Sequence, residues 1–209
     1  MPLFEKKLFH DALIGVWKIE EDEDTLLSLL PDPSAYEEQL AVLLHERRRL
    51  EYLAVRVLLF RLTGRQQCVG YETSGKPYLT GHEFHISISH THGWASVILH
   101  PSLPVAIDIE QMGDRASALS ARFLNETEIS NSDPRHPTVY HVLCWSAKET
   151  LFKRIDCAGV DFKTQLHLSP FKVSSEGVID AAEECSGKWG TFKIYYETHP
   201  HWVLTYLVG

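Results

Sequence analysis

The sequence predicts an α+β fold made of two similar α+β lobes related by an approximate twofold axis. Three echoes, in the same order in each half, carry that reading. VWKIE at 16–20 resembles AIDIE at 106–110, an offset of 90. AVRVLLFRL at 54–62 resembles AKETLFKRI at 147–155, an offset of 93. FHISISHTHGWASVIL at 84–99 resembles FKIYYETHPHWVLTYL at 192–207, an offset of 108. The growing offsets are what insertions in a second copy produce. Each copy then holds a strand, a long helix and a hairpin, and the lobes are expected over 1–102 and 103–209.

Composition sets the class. The 209 residues suffice for one sizeable domain or two small lobes. Hydrophobic residues make up 44% and charged residues 23%, the balance of a soluble globular chain rather than a disordered one. A net charge of −8 argues against general nucleic-acid or membrane-surface binding. The start, MPLFEKKLFHDALIGVW, lacks the apolar core of a signal peptide, and no run approaches the ~20 apolar residues of a membrane span. Cys68, Cys144, Cys157 and Cys185 are scattered without a CxxC, which fits a reduced, cytoplasmic protein.

The elements follow in order. Residues 13–20 (LIGVWKIE) read as a strand, and the acidic 20–24 as a turn or helix start. PDPS at 31–34 breaks the chain, and a helix can begin near Ser34. Residues 46–62 read as helix, with Leu50, Leu53, Val57 and Leu58 at helical spacing and Gly64 as its cap. Residues 84–89 alternate as a strand, and 94–99 return as its partner. VAIDIE at 105–110 alternates again. Short helices are expected at 116–123 and 126–130, a polar loop at 131–137, and a helix through WSAKETLFKR at 145–154. Strands are expected at 171–173, 178–179, 192–196 and 202–208, with Trp94 and Trp202 in the core.

Two stretches carry the chemistry. In WSAKETLFKR, Glu149 and Lys153 lie four apart on one helical face, with Trp145 one turn earlier. An arbitrary pair of this kind is a solvated surface salt bridge. Here Asp108 and Glu110 project from one face of the VAIDIE strand, so three carboxylates could meet a hard cation, which prefers oxygen ligands. In the register of the repeat, Lys18 lies opposite Asp108 and Arg56 opposite Glu149. The acids belong to the second copy and the cations to the first. A cleft between the lobes would have a metal-binding wall and an anion-binding wall, which suits a phosphorylated ligand carried with a divalent ion.

GKP at 75–77, FHISISHT at 84–91, IDIE at 107–110, FLNETE at 123–128 and WSAKETLFK at 145–153 occur in the order and spacing of the 4′-phosphopantetheinyl transferases. The length and the two-lobed echo resemble the surfactin-type, single-chain branch. The pair xDxE and WxxKExxxK is specific, whereas GKP or SH alone is not. The resemblance implies a pseudo-twofold pair of lobes with coenzyme A in the cleft. It implies transfer of 4′-phosphopantetheine from coenzyme A to a serine of an apo acyl or peptidyl carrier protein by a monomer, with release of adenosine 3′,5′-bisphosphate. By motif position, Asp108, Glu110 and Glu149 would hold Mg²⁺ on the pyrophosphate, which also places Asp108 among the coenzyme-binding residues. Glu149 would be the base for the incoming serine, and Lys153 would neutralise charge on the phosphates. Lys76 and His90 would contact coenzyme A phosphates with Ser89 beside them, and Arg56 joins that set from the repeat register. Such chemistry spreads charge over phosphate oxygens, which fixed cations stabilise while a carboxylate accepts the serine proton.

Two positions depart from the family pattern. Ala106 stands where Gly is usual, and Ser87 where Asn is usual. Two other readings remain beside the transferase: a catalytically impaired module that binds coenzyme A or a carrier protein, and a magnesium-dependent phosphodiesterase. The histidines at 82, 85, 90 and 92 lack Cys partners at metal spacing, so a structural zinc is not expected. The run Arg47–Arg49 reads as a solvated helix start. Ser89 and His90, adjacent on a strand, point apart and do not form a hydrolytic dyad.

Overall fold

The computed structural model describes residues 3–185, 187 and 189–209. The chain divides into two compact units, Met1–Leu103 and Pro104–Gly209.

The first unit opens with β1 (Leu3–Phe9) and β2 (Ala12–Lys18), an antiparallel hairpin turning at His10 and Asp11. Then come α1 (Glu23–Ser28), a 3₁₀ turn at Pro33–Tyr36, α2 (Glu37–Val42) and α3 (Glu46–Thr63). Asp22 caps α1 by accepting from the Thr25 amide at 2.9 Å. A small hairpin of β3 (Val69–Tyr71) and β4 (Pro77–Leu79) leads to β5 (His85–Thr91) and β6 (Trp94–His100). The sheet order is β1-β2-β6-β5, all antiparallel. No Gly or Pro interrupts α3, and Gly64 ends it in the left-handed conformation (φ 71°). Leu53, Ala54, Val57, Leu58 and Leu62 of α3 are buried in one apolar cluster with Trp17, Val97 and Leu99. A Cβ at Gly15 of β2 would lie 2.7 Å from Leu58 Cδ1, so glycine is what lets α3 come this close.

The second unit runs β7 (Val105–Gln111), α4 (Arg115–Phe123), α5 (Glu126–Ser130) and α6 (Pro137–Ile155). Strands β8 (Leu166–Leu168), β9 (Glu176–Glu183), β10 (Gly190–Thr198) and β11 (Trp202–Val208) follow. The sheet order is β7-β11-β10-β9-β8, again antiparallel. Pro137 starts α6 at a position where its missing N–H costs nothing. Lys153 and Arg154 stand in its last turn, where positive charge suits the helix dipole. Leu143, Ala147 and Leu151 bury the inner face of α6 against Ala106, Val203 and Leu207.

Each unit therefore sets a long helix against the same strand order, β2-β6-β5 in the first and β7-β11-β10 in the second. Trp94 and Trp202 are buried, as expected. Several elements differ from the sequence expectations: β3 and β4 form where only a turn was read, α6 begins at Pro137 rather than near 145, and one edge strand of each larger sheet is other than expected. The β1 strand was not anticipated, because Glu5, Lys6 and Lys7 interrupt its apolar pattern; it lies at the sheet edge, where charge is tolerated. No strand forms at 171–173, and the edge strand is β8 instead. Pro170 cannot donate to a ladder, and Phe171 serves as packing, stacked 5.0 Å from the Tyr140 ring. Among the described residues the four cysteines are free and no helix is long and apolar enough to cross a membrane.

Candidate active site

The seam of α6 with β7 gathers the acidic residues. Ala106 lies in the cluster that α6 buries, so the same strand face turns Asp108 and Glu110 toward that helix. Ala106, where the family pattern has Gly, is itself fully buried in that cluster. Between Tyr140 and Leu151, only His141, Trp145 and Glu149 escape full burial on α6. They lie four apart and form one open stripe, which Lys153 continues.

Each acidic group is held differently. Asp108, 3% exposed, accepts from Ser146 Oγ at Oδ2 (2.8 Å) and from Lys153 Nζ at Oδ1 (2.7 Å). Lys153 Nζ also donates to the Ile107 carbonyl at 3.0 Å. Its charge is thus engaged by Asp108; the Glu149–Lys153 surface bridge, the ordinary reading of that spacing, is not what forms. Glu110 Oε1 accepts from Trp145 Nε1 at 2.8 Å, and the indole is wedged by Phe123 and Phe162 at centroid distances of 5.1 and 5.6 Å. Burial, then the Asp108 charge, pushes Glu110 above the usual carboxylate range, and the Trp145 hydrogen bond opposes the shift. Glu149 makes no hydrogen bond or ion pair among the described residues. Burial first, and Asp108 second, push its carboxyl up to about 7, against the pull of Lys153. Such a group can both give and take a proton at neutral pH.

The candidates of the first unit fall in different settings. Lys76 follows Gly75 (φ 87°) in the turn between β3 and β4 and is half-buried. Ser89 and Ser87 are buried in β5. His90, itself exposed but on the β5 face of Ile86 and Ile88, has Nδ1 3.4 Å from Glu51 Oε2 and Nε2 3.4 Å from Arg48 Nη1. Glu51 is buried on α3 and takes Arg47 Nε at 2.9 Å and Arg48 Nη1 at 3.1 Å. Arg49 bonds Glu23 at 2.7 Å. The arginine run is therefore a set of specific partners rather than a merely solvated helix start. Arg56 is 4% exposed, with its guanidinium 3.8 Å from the Tyr52 ring centroid. It is a packed cation–π group.

Residues 104–206 match the family model described as the 4′-phosphopantetheinyl transferase superfamily. The match runs along nearly the whole of the second unit, which is thus similar to that superfamily. A curated relative, a 4′-phosphopantetheinyl transferase of Bacillus subtilis, is 33% identical over 112 residues, covering 48% of this chain and 50% of the relative. In that match the chain spans about half the length of the relative. The whole α6–β7 seam lies within the family segment.

The oxygen donors of this superfamily segment fit a hard divalent cation. Burial and then the Asp108 charge raise both Glu110 and Glu149, and a cation is what relieves crowded carboxylates. The oxygens of Asp108, Glu110 and Glu149 do not all lie within 4.8 Å of one another, so they form an open set. That suits Mg²⁺, which takes one or two carboxylates and completes its shell with water and phosphate.

The structure adds residues that the sequence reading passed over. Lys148 is fully buried and donates to Glu128 Oε2 (2.7 Å) and to the Phe123 and Phe162 carbonyls (both 2.8 Å). Glu128 completes a capping box with Asn125 and takes the Leu168 amide at 2.9 Å. The spacing of Asn125 and Glu128 in FLNETE was a legible capping signal. Thr205, the lone aliphatic hydroxyl in the run WVLTYLV, was legible only as an oddity.

Proposed function

We propose that the chain transfers 4′-phosphopantetheine from coenzyme A to a serine hydroxyl of an apo acyl or peptidyl carrier protein, releasing adenosine 3′,5′-bisphosphate. The observation that carries the reading is Glu149. It is an open, uncommitted carboxyl raised to about 7, beside Asp108 and Glu110, within the superfamily segment. Glu149 takes the serine proton as the serine oxygen attacks the pantetheine-side phosphorus. The new O–P bond forms as the P–O bond of the pyrophosphate bridge breaks, and the bridging oxygen leaves with the adenosine bisphosphate. Lys153, anchored on Asp108 and the Ile107 carbonyl, holds a fixed positive charge beside the acids. Asp108, Glu110 and Glu149 would hold Mg²⁺, which supplies Lewis-acid stabilisation of the phosphate charge when bound. On the resemblance of GKP and SISH, Lys76, Ser89 and His90 are assigned to the coenzyme A phosphates.

The surfactin-type, single-chain branch is the further reading, with the two units as duplicated lobes and the chain monomeric. The shared strand order of the units supports it.

The test is incubation with coenzyme A, Mg²⁺ and a panel of apo carrier proteins, read by intact mass. The expected result is gain of one phosphopantetheine group on at least one carrier, dependent on Mg²⁺. Coenzyme A or carrier binding with no mass gain on any carrier would favour the impaired binding module instead.

A further inference from the structure

Behind Asp108 lies a run of hydroxyl groups that the transfer step does not use. Ser146 Oγ is 2.8 Å from Asp108 Oδ2 and 2.8 Å from Thr205 Oγ1. Thr205 Oγ1 is in turn 2.6 Å from Thr150 Oγ1 and 3.0 Å from the Ser146 carbonyl. All three hydroxyl residues are fully buried. Thr205 sits directly opposite Asp108 across β11 and β7, so strand register and helix spacing together close the group.

The direction of the run follows from donor counting. A carboxylate only accepts, so Ser146 spends its one proton on Asp108. Ser146 Oγ can then only accept, from a Thr205 proton that it shares with the Ser146 carbonyl, and Thr205 Oγ1 accepts from Thr150, whose proton also faces the Thr205 carbonyl at 3.3 Å. The donors run one way, Thr150 to Thr205 to Ser146 to Asp108, and each bond polarises the next. Neither Ser146 nor Thr150 bonds back to the carbonyl one turn earlier, the common habit of such residues inside helices. Three buried hydroxyls carry a desolvation cost that an apolar trio would avoid. What they produce here is a carboxylate tied at both oxygens, by Ser146 on one and Lys153 on the other.

We infer that Ser146, backed by Thr205, is a positioning residue that aims Asp108 for divalent-cation binding. The inference rests on the proposed metal role of Asp108. Partners behind a metal ligand fix its orientation, and losing one costs about 10–100-fold in metal affinity.

The experiment is direct titration of the full chain with Mn²⁺, followed by electron paramagnetic resonance, with thermal melting beside it. Wild type, Ser146→Ala, Thr205→Val and Thr205→Ser are compared. Ser146→Ala should raise the Mn²⁺ Kd by about tenfold. Thr205→Val should raise it as well, while Thr205→Ser, which keeps the hydroxyl, should stay within about threefold of wild type. The apparent KM for metal should rise with the Kd, while that for coenzyme A holds. If Ser146→Ala fails to fold, the Thr205 pair decides alone. Equal Kd shifts in Thr205→Val and Thr205→Ser, or an unchanged Kd in Ser146→Ala despite a lower melting temperature, would reduce the run to plain packing. Wild-type Mn²⁺ binding without transfer to any carrier would sink the transferase reading and leave the variants to judge this one. A wild type that binds no Mn²⁺ overturns both.

Discussion

The helices α3 and α6 lie on equivalent strands of their sheets, yet they treat charge in different ways. On α3, buried Glu51 is answered by Arg47 and Arg48, and buried Arg56 rests on Tyr52. On α6, Lys148 is answered just as fully by Glu128, but its neighbour Glu149 is left open among like charges. Paired buried charge is how a fold tolerates ionic groups inside. Unpaired charge with a raised pKa marks where stability has been given up for chemistry. The contrast between α3 and α6, and between Lys148 and Glu149 within α6, separates scaffold from site.

The largest effect should come from removing the open charge. Glu149→Gln keeps the shape but cannot accept a proton at neutral pH, so turnover should fall by about 10²–10⁴-fold. Coenzyme A affinity should hold, and the metal-free chain should melt no lower than wild type, because a repelling charge is gone. Single-turnover transfer at saturating Mg²⁺ reads the first point. Recovery of most activity there would leave Glu149 a ligand only, with the base elsewhere.

Lys148→Met should do the reverse. Stranding buried Glu128 costs about 3–5 kcal/mol, a large share of a typical stability. Denaturant melts should show that loss, and adding Glu128→Gln should restore part of it. A Lys148 variant with wild-type stability and no activity would move Lys148 from scaffold to site.

Arg56→Met sharpens the same line on α3. Losing the Tyr52 stack should cost about 1 kcal/mol by thermal melting. Coenzyme A affinity, measured by calorimetry, should change little. A tenfold weaker binding would return Arg56 to the anion-binding set where the repeat register first placed it.

How much of this the sequence told depends on the kind of signal. Helices α3 and α6 were legible as runs of helix formers without Gly or Pro, and β5 and the VAIDIE strand by their alternation. Asp108, Glu110 and Glu149 were legible as a group, since strand alternation and helix spacing each fix a face. The partners were not. That Lys153 turns to Asp108 rather than to Glu149 depends on where β7 passes under α6, which no local spacing encodes. Lys148 read as an ordinary residue of the helix and Arg56 as part of an anion-binding wall, and the burial of both is a tertiary outcome. The Ser146–Thr205 contact joins residues 59 apart and needs the strand register to appear. The pair at His167 and Trp189, stacked at 5.4 Å, was likewise invisible.

The smallest effect is also the one that tests the open charge without mutation. Glu149 has an ordinary value of 4.5 and is raised to about 7 in the fold. A raised acid binds more protons folded than unfolded between those values, so its contribution to stability is full below 4.5 and lost as pH rises through about 7. Metal-free melts should therefore show a falling component over that window, and Glu149→Gln should flatten it. The rate runs the other way. An ionised base is needed, so transfer at low Mg²⁺ should climb as pH passes about 7. A cation beside the carboxylate favours its charged form, so raising Mg²⁺ should slide that limb to lower pH. Rate–pH profiles at several Mg²⁺ concentrations read the shift. A limb that stays fixed as Mg²⁺ rises would separate the titrating group from the metal, and the crowding of Asp108, Glu110 and Glu149 would then have another cause.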